Sequence, residues 1–330
     1  SDKTDFMNST QITLRHPVGT SAVLSTCGAR LVKLHVPDKH GILTNVVLGF
    51  SNPDHYEEFQ DDLIGATVGR LAGRVENATF IRDGFTYPLT VNSSPHHLHG
   101  GGEDALDRVN WQISEQTESE VTFTHMSVDG NNGYPGNLTV TARYSLTSDM
   151  SLLIEYTATT DQTTPVNLTH HSYWNLSGAN QEDLSGHVLK IYACEVLDTH
   201  DLIPTGEVSS IEGTDLDYSE PTALAKRPWK ELDNSFISNE PGVVAELWHP
   251  GTGITLSLTS QQPVLQVYAG KFLSPINNED GSHIGPGRGL ALEPQHVNSA
   301  ISRRPELQTT LFEPGMTYSN IMKFAFSTAR

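Results

Sequence analysis

Carboxylates and imidazoles are the side chains that most readily trade protons near neutral pH, and this sequence sets both in unusual surroundings. The segment NLTHHSYWNLSG, Asn167 to Gly178, carries His170 and His171 side by side among asparagines and aromatics. In an extended chain, residues i and i+2 point to the same side. Asn167, Thr169, His171, Tyr173 and Asn175 therefore share one face. Leu168, His170, Ser172, Trp174 and Leu176 share the other, which is mostly apolar and is expected against the core. The first face is wholly hydrogen-bonding and holds no Lys, Glu or Arg. Plain solvent faces are usually richer in charge. An aromatic beside neutral donors and acceptors suits a sugar, which has an apolar ring face and a rim of hydroxyls.

Three further clusters carry chemistry. PHHLHGG, Pro95 to Gly101, puts His97 and His99 on one face if extended, and the glycines after His99 permit close backbone approach to a ligand. Zinc is one reading, but there is no HExxH and the spacing matches no zinc site. A turn with exposed histidines is the plainer alternative. GRLAGR, Gly69 to Arg74, places Arg70 and Arg74 four apart, on one face of a strand or a helix. Two arginines among small residues suit an internal ion pair and a ligand equally. In ALEPQHVNSAI, Ala291 to Ile301, Glu293 follows the apolar GLAL and precedes Pro294. A carboxylate at a strand end is well placed for a site rim, though a surface glutamate is the default.

The elements that must position these groups read as strands. QITLRHP, SAVLSTCGARLVKLHVP, VTFTHMSV, NLTVTARYSL, SLLIEYTATT, GITLSLTS, PVLQVYAG and SNIMKFAFSTA favour a two-residue period and are rich in β-branched and aromatic residues. Turn signals separate them at RDG, DGNNGYPG, TSD and HPGTG. Only NPDHYEEFQDDLIG suggests a turn or two of helix. Many closely spaced strands predict an all-β fold, a large antiparallel β-sandwich. No interior linker stands out, so residues 1–330 read as a single domain. Two sandwiches split near residue 160 are the alternative.

Composition narrows the partners. The chain has 20 Lys+Arg against 39 Asp+Glu, a net charge of −19. A field of that sign repels nucleic acid and anionic membrane surfaces and gives no help in steering an anionic substrate. A neutral or cationic small molecule is the easier partner. No apolar run approaches the roughly 20 residues that a membrane helix needs. The two cysteines, Cys27 and Cys194, have no metal-site spacing and are too few for a disulfide framework. With no signal-peptide pattern in SDKTDFMNST, this favours a cytoplasmic location. Asn-x-Ser/Thr sequons at Asn8, Asn77, Asn92, Asn137, Asn167 and Asn175 read as chance matches in an Asn-, Ser- and Thr-rich chain.

Taken in order, GRLAGR, LHGG, GYPG, NLTHHSYWN, LIPTGE, DNSF, QVY and LEPQ resemble the motifs of the galactose mutarotase (aldose 1-epimerase) family, from about Gly65 to Glu313. Each motif alone is weak, but eight in register are specific. The resemblance implies a sandwich of antiparallel sheets with a concave face that holds the sugar. It implies interconversion of the α and β anomers of a free aldose such as galactose or glucose, by a monomer or homodimer. It makes His171 the general acid and Glu293 the general base, and puts sugar contacts at Arg74, His99, Tyr173, Asp233 and Gln266. Opening a hemiacetal involves no redox step, and the hydroxyl proton is lost as the bond breaks. Neither a cofactor nor a metal is therefore expected.

Three segments depart from the family pattern. Gly73 stands where an asparagine is usual before the second arginine. Asn131 and Asn132 stand where acidic residues are common, and DNSF lacks the usual histidine after Asp233. A carboxylate near His171 is expected to favour its charged form. Three rival readings share these residues: a sugar-phosphate 1-epimerase, a glycoside hydrolase pairing Glu293 with Asp233, and a non-catalytic carbohydrate-binding sandwich.

Overall fold

Period-two segments have one apolar face each, and two sheets bury such faces most simply by packing them together. The computed structural model describes residues 8–178 and 182–329 and is built this way. The N-terminal reading of Ser1 to Met7 lies outside the described residues.

One sheet has nine antiparallel strands, in the order Gln112–Gln116, Glu120–Ser127, Leu138–Leu146, Ser151–Thr160, Tyr318–Ser327, Thr255–Ser260, Gly242–Trp248, Val188–Ile191 and Thr222–Ala223. Strands from both sides of residue 160 lie within it. The second sheet has six strands, in the order Tyr173–Trp174, Leu290–Gln295, Val264–Tyr268, Asp233–Ser238, Ala193–His200 and Ile203–Ser210. An N-terminal four-stranded sheet runs Gln11–Arg15, Ser21–Ser25, Arg30–Pro37 and Leu43–Asn45. Among the described residues, helix is confined to His55–Glu58 and short 3-10 turns. No helix among the described residues is long and apolar enough to cross a membrane.

The core lies between the two large sheets. Leu152, Ile154, Tyr156, Met322 and Phe324 of the nine-stranded sheet meet Leu290, Leu292, Leu265, Val267 and Phe236 of the six-stranded one in a single buried cluster. Each such side chain contributes about 1.5–3 kcal/mol by leaving water. The opposite face of the six-stranded sheet is then free for other use. Register fixes what it carries: Glu293 pairs with Gln266, Gln266 with Ser235, Tyr268 with Ala291 and Asp233, and Tyr173 with Ala291. Directly paired residues point the same way. Tyr173, Glu293, Gln295, Gln266, Tyr268, Ser235 and Asp233 thus stand on one surface, behind which lies the hydrophobic core.

Candidate active site

That surface forms the floor of a cavity of about 260 Å³. Loops cover its sides, which is why Leu290–Gln295 is buried at every position, polar residues included. The cavity is lined by Arg74, His99, His171, Tyr173, Asp233, Gln266 and Glu293, the seven site residues singled out from the sequence. They come from stretches spread over more than half the chain.

Glu293 lies mid-strand on the floor and is 2% exposed, so it is not on a rim. Its Oε1 sits 3.3 Å from Nε2 of His171, itself 3% exposed. Burial pushes the Glu293 carboxyl well above its ordinary range, with the Asp233 charge adding to it. Burial also pulls His171 down to about 4, and the Arg30 charge works in the same direction. The expectation that a neighbouring carboxylate keeps His171 charged is thus overturned: desolvation lowers it, and Glu293, itself raised, supplies no offsetting charge. Two opposed shifts on touching groups mean that the pair titrates as a unit. The dry site resists both a lone carboxylate and a lone imidazolium, so the pair holds one proton over a wide pH range.

His99 is turned into the cavity by a left-handed backbone, φ 52°. Its Nδ1 accepts the Gly73 N–H at 3.0 Å. The tautomer is thereby set, and Nε2 carries the hydrogen as a donor. Burial and the His171 and Arg74 charges hold its pKa well below 6.5, so it is a neutral donor. His99, His171 and Glu293 offer atoms within 4.8 Å of one another, a spacing that raises a metal site. The fixed tautomer argues against one, because a ligating histidine needs its cavity-facing nitrogen bare and its other nitrogen donating.

The remaining groups frame a polar ligand. Gln266 donates from Nε2 to Oδ1 of Asp233 at 2.7 Å and accepts from Ser235 Oγ. Burial raises the Asp233 carboxyl, partly offset by the Arg74 charge. Tyr173 and Tyr268 meet edge to face, with ring centroids 6.1 Å apart. Arg74 is the lone Lys or Arg among the lining residues, against four carboxylates, Asp61, Asp62, Asp233 and Glu293.

Several local expectations are corrected. The 167–175 stretch is not one strand; Thr169–His170 and Tyr173–Trp174 pair with different partners, and both of its faces are buried. Only His171 and Tyr173 of the polar set reach the cavity. Asn167 donates to the His296 carbonyl at 2.9 Å and accepts from the His296 N–H, while Asn175 donates to the carbonyls of Glu182 and Arg288. These two asparagines clasp loops, and their burial removes them as sequons. Arg70 does not share a face with Arg74. It is 2% exposed and donates to Ser127 Oγ and to the carbonyls of Pro135 and Gly136, stapling the GYPG loop. His97 does not share a face with His99. It is buried against the Thr90 carbonyl and the Tyr134 hydroxyl. Gly100 admits close approach to the Gly69 carbonyl, not to a ligand, since a Cβ there would lie 1.9 Å from that oxygen. Asn131 and Asn132 stand outside the cavity lining, whereas Gly73 lies within it. Tyr268, Ser235 and Gln295 were missed, although each lies two residues from a named site residue on the same strand. Asp62, which closes the 3-10 turn Gln60–Asp62, and Phe272, from a loop, also line the cavity and were missed.

His170 has the opposite surroundings to its neighbour. Its Nδ1 lies 3.2 Å from Tyr156 Oη and 3.4 Å from Tyr144 Oη, and its Nε2 contacts Ser172 Oγ. Burial and the His171 charge hold it neutral, down to about 3. His170→Asn should cost roughly 2–4 kcal/mol of stability, from unmet hydroxyls and lost packing, with kcat changed less than threefold. Urea unfolding alongside rate measurements checks both.

The sequence profile of the family described as Aldose 1-epimerase matches residues 10–325. A galactose mutarotase from Bos taurus is 36% identical over 311 residues, covering 92% of this chain and 90% of that protein. An aldose 1-epimerase from Escherichia coli (strain K12) is 33% identical over 329 residues, covering 96% and 94%. A solved aldose epimerase homologue from C. elegans superposes with a TM-score of 0.88 at 30% identity, covering 98% of this chain and 100% of that one.

Proposed function

The chain belongs to the aldose 1-epimerase family, a family of isomerases, and from that premise we propose that residues 1–330 act as one domain interconverting the α and β anomers of a free aldohexose such as galactose or glucose. In the acting state the one proton of the pair sits on His171: Glu293, as the carboxylate, takes the proton of the O1 hydroxyl, and His171 gives its proton to the ring oxygen. The C1–O bond of the ring breaks, C1 becomes an aldehyde carbon, and the C1–C2 bond rotates. Ring closure on the other face reverses both transfers. The reading rests on one observation above all: a carboxylate and an imidazole 3.3 Å apart on the floor of a small polar cavity. O1 and the ring oxygen are bonded to the same carbon, so an acid and a base that serve both must be close neighbours.

Gln266 and Asp233 then meet hydroxyls further round the ring. Arg74 adds a rigid fork of donors, and His99 is a neutral N–H donor near the ring oxygen. The cavity lies just below the roughly 300–1,000 Å³ of sites for larger, drug-sized ligands, and suits one monosaccharide. Four carboxylates against one arginine disfavour a phosphorylated sugar. Polarimetry with pure α-anomers of several aldoses tests the proposal, with glucose 6-phosphate as competitor. Accelerated relaxation of the free sugars with little competition is expected. Full competition by the phosphate would shift the assignment to a sugar-phosphate epimerase. Absence of any acceleration by the folded protein would leave a binding sandwich.

The pH profile should follow the pair. A second proton removes the base, and burial lowers that step to about 4 for His171. Loss of the single shared proton removes the acid, and the raised Glu293 carboxyl moves that step upward. kcat/KM should therefore stay level as pH falls through about 6.5, the ordinary histidine value, and drop only toward 4. A tenfold fall between pH 7 and 6 would contradict the assignment.

A further inference from the structure

Among the described residues, three cavity-lining side chains have a buried polar atom with no hydrogen-bond partner: His171 at Nδ1, Glu293 at Oε1 and Gln295 at Oε1. The first two belong to the acid–base pair. Gln295 has no part in the chemistry, yet it shares the same feature.

We propose that Gln295 is a sugar-binding residue whose carboxamide takes one hydroxyl of the substrate. The proposal rests on the mutarotase reading of this site. Gln295 is 6% exposed and lies two residues beyond Glu293 on the same strand and the same face, roughly 7 Å along it. Its carboxamide makes no hydrogen bond to any described residue, in contrast to that of Gln266, which is held at both ends by Asp233 and Ser235. A buried carbonyl oxygen without a donor is costly unless water or a ligand supplies one. Sugar hydroxyls both donate and accept: one can accept from Nε2, and a half-turn of the carboxamide offers Oε1 to one that donates.

The residues around Gln295 leave that role open to it. Asn298 is fully engaged: it donates to the carbonyls of Ala72 and Arg74 and accepts from Asn167 and Thr309. It fixes the backbone that carries Arg74 and is not free to turn toward a ligand. Gly73 has φ +81°, and a Cβ there would lie 3.8 Å from Gln295 Nε2. A longer side chain would stand against the amide, and glycine leaves it open to the cavity.

The test compares wild type with Gln295→Met, which keeps the length and removes the carboxamide. Both are assayed by polarimetry on the preferred aldose and on its 2-, 3-, 4- and 6-deoxy analogues. Gln295→Ala serves as a second variant, and thermal melting confirms that each is folded. For the parent sugar, kcat/KM should fall roughly 3- to 10-fold, the value of one hydrogen bond, chiefly through KM. For one deoxy analogue, wild type and variant should be equal, because the hydroxyl that Gln295 meets is already gone. Equal losses on the parent and on every analogue, or no loss at all, would overturn the inference while the function stands. No turnover by wild type on any aldose would overturn the function and this inference with it.

Discussion

Glu293→Gln is expected to lower kcat for anomer interconversion by roughly 10²–10⁴-fold, the usual worth of a positioned general base. The carboxamide matches the carboxyl in shape but cannot take the O1 proton. It should be well tolerated. Burial raises the Glu293 carboxyl, so folding already favours an uncharged group at this place. The melting temperature should therefore hold or rise while the rate collapses. A stability–activity opposition of this kind is expected of a charge kept in a dry site for chemistry. Stopped polarimetry and differential scanning calorimetry on the same preparation measure both halves.

His171→Asn is expected to cost kcat a similar roughly 10²–10⁴-fold, since asparagine can donate a hydrogen bond but not a proton. Because both groups act on one bond-breaking event, the double variant Glu293→Gln/His171→Asn should be little worse than either single one. Simple multiplication of the two losses would show that they act in separate steps. The adjacent His170→Asn supplies the internal control. It changes the same residue type one position away but in the sandwich core, so it should lose stability and keep rate.

The contrast between those two neighbours was legible in strand parity. His170 falls with Leu168 and Trp174, and all three are packed in the core. The same period-two logic carried the strands, because alternation is imposed by the apolar face between the sheets. It failed wherever the chain stopped being a regular strand. Parity put Asn167 and Asn175 on the ligand face, but Thr169–His170 and Tyr173–Trp174 are separate two-residue pairings. Their flanking asparagines turn away to hold loops. It paired Arg70 with Arg74 and His97 with His99, and in both cases one partner is consumed inside the protein. Backbone carbonyls are plentiful in an irregular β-fold, and buried arginine and asparagine side chains are natural partners for them. No composition signal separates such a staple from a ligand contact.

Proton affinities were the least legible feature. The sequence shows His171 in an acidic chain, which suggests a charged imidazole. The structure shows it almost wholly removed from water, and desolvation reverses the direction. Gln295 belongs to the same class of hidden facts. Its residue type and its place after Glu293 were visible, but an oxygen without a donor is visible only when every neighbour is in place.

The most direct test of the acid–base account is polarimetric relaxation of freshly dissolved α-galactose or α-glucose at neutral pH, with wild type, Glu293→Gln and His171→Asn at equal concentration. The account predicts that wild type speeds the approach to the same final rotation, and that both folded variants relax the sugar near the uncatalysed rate. Near-wild-type rates in both variants would contradict it.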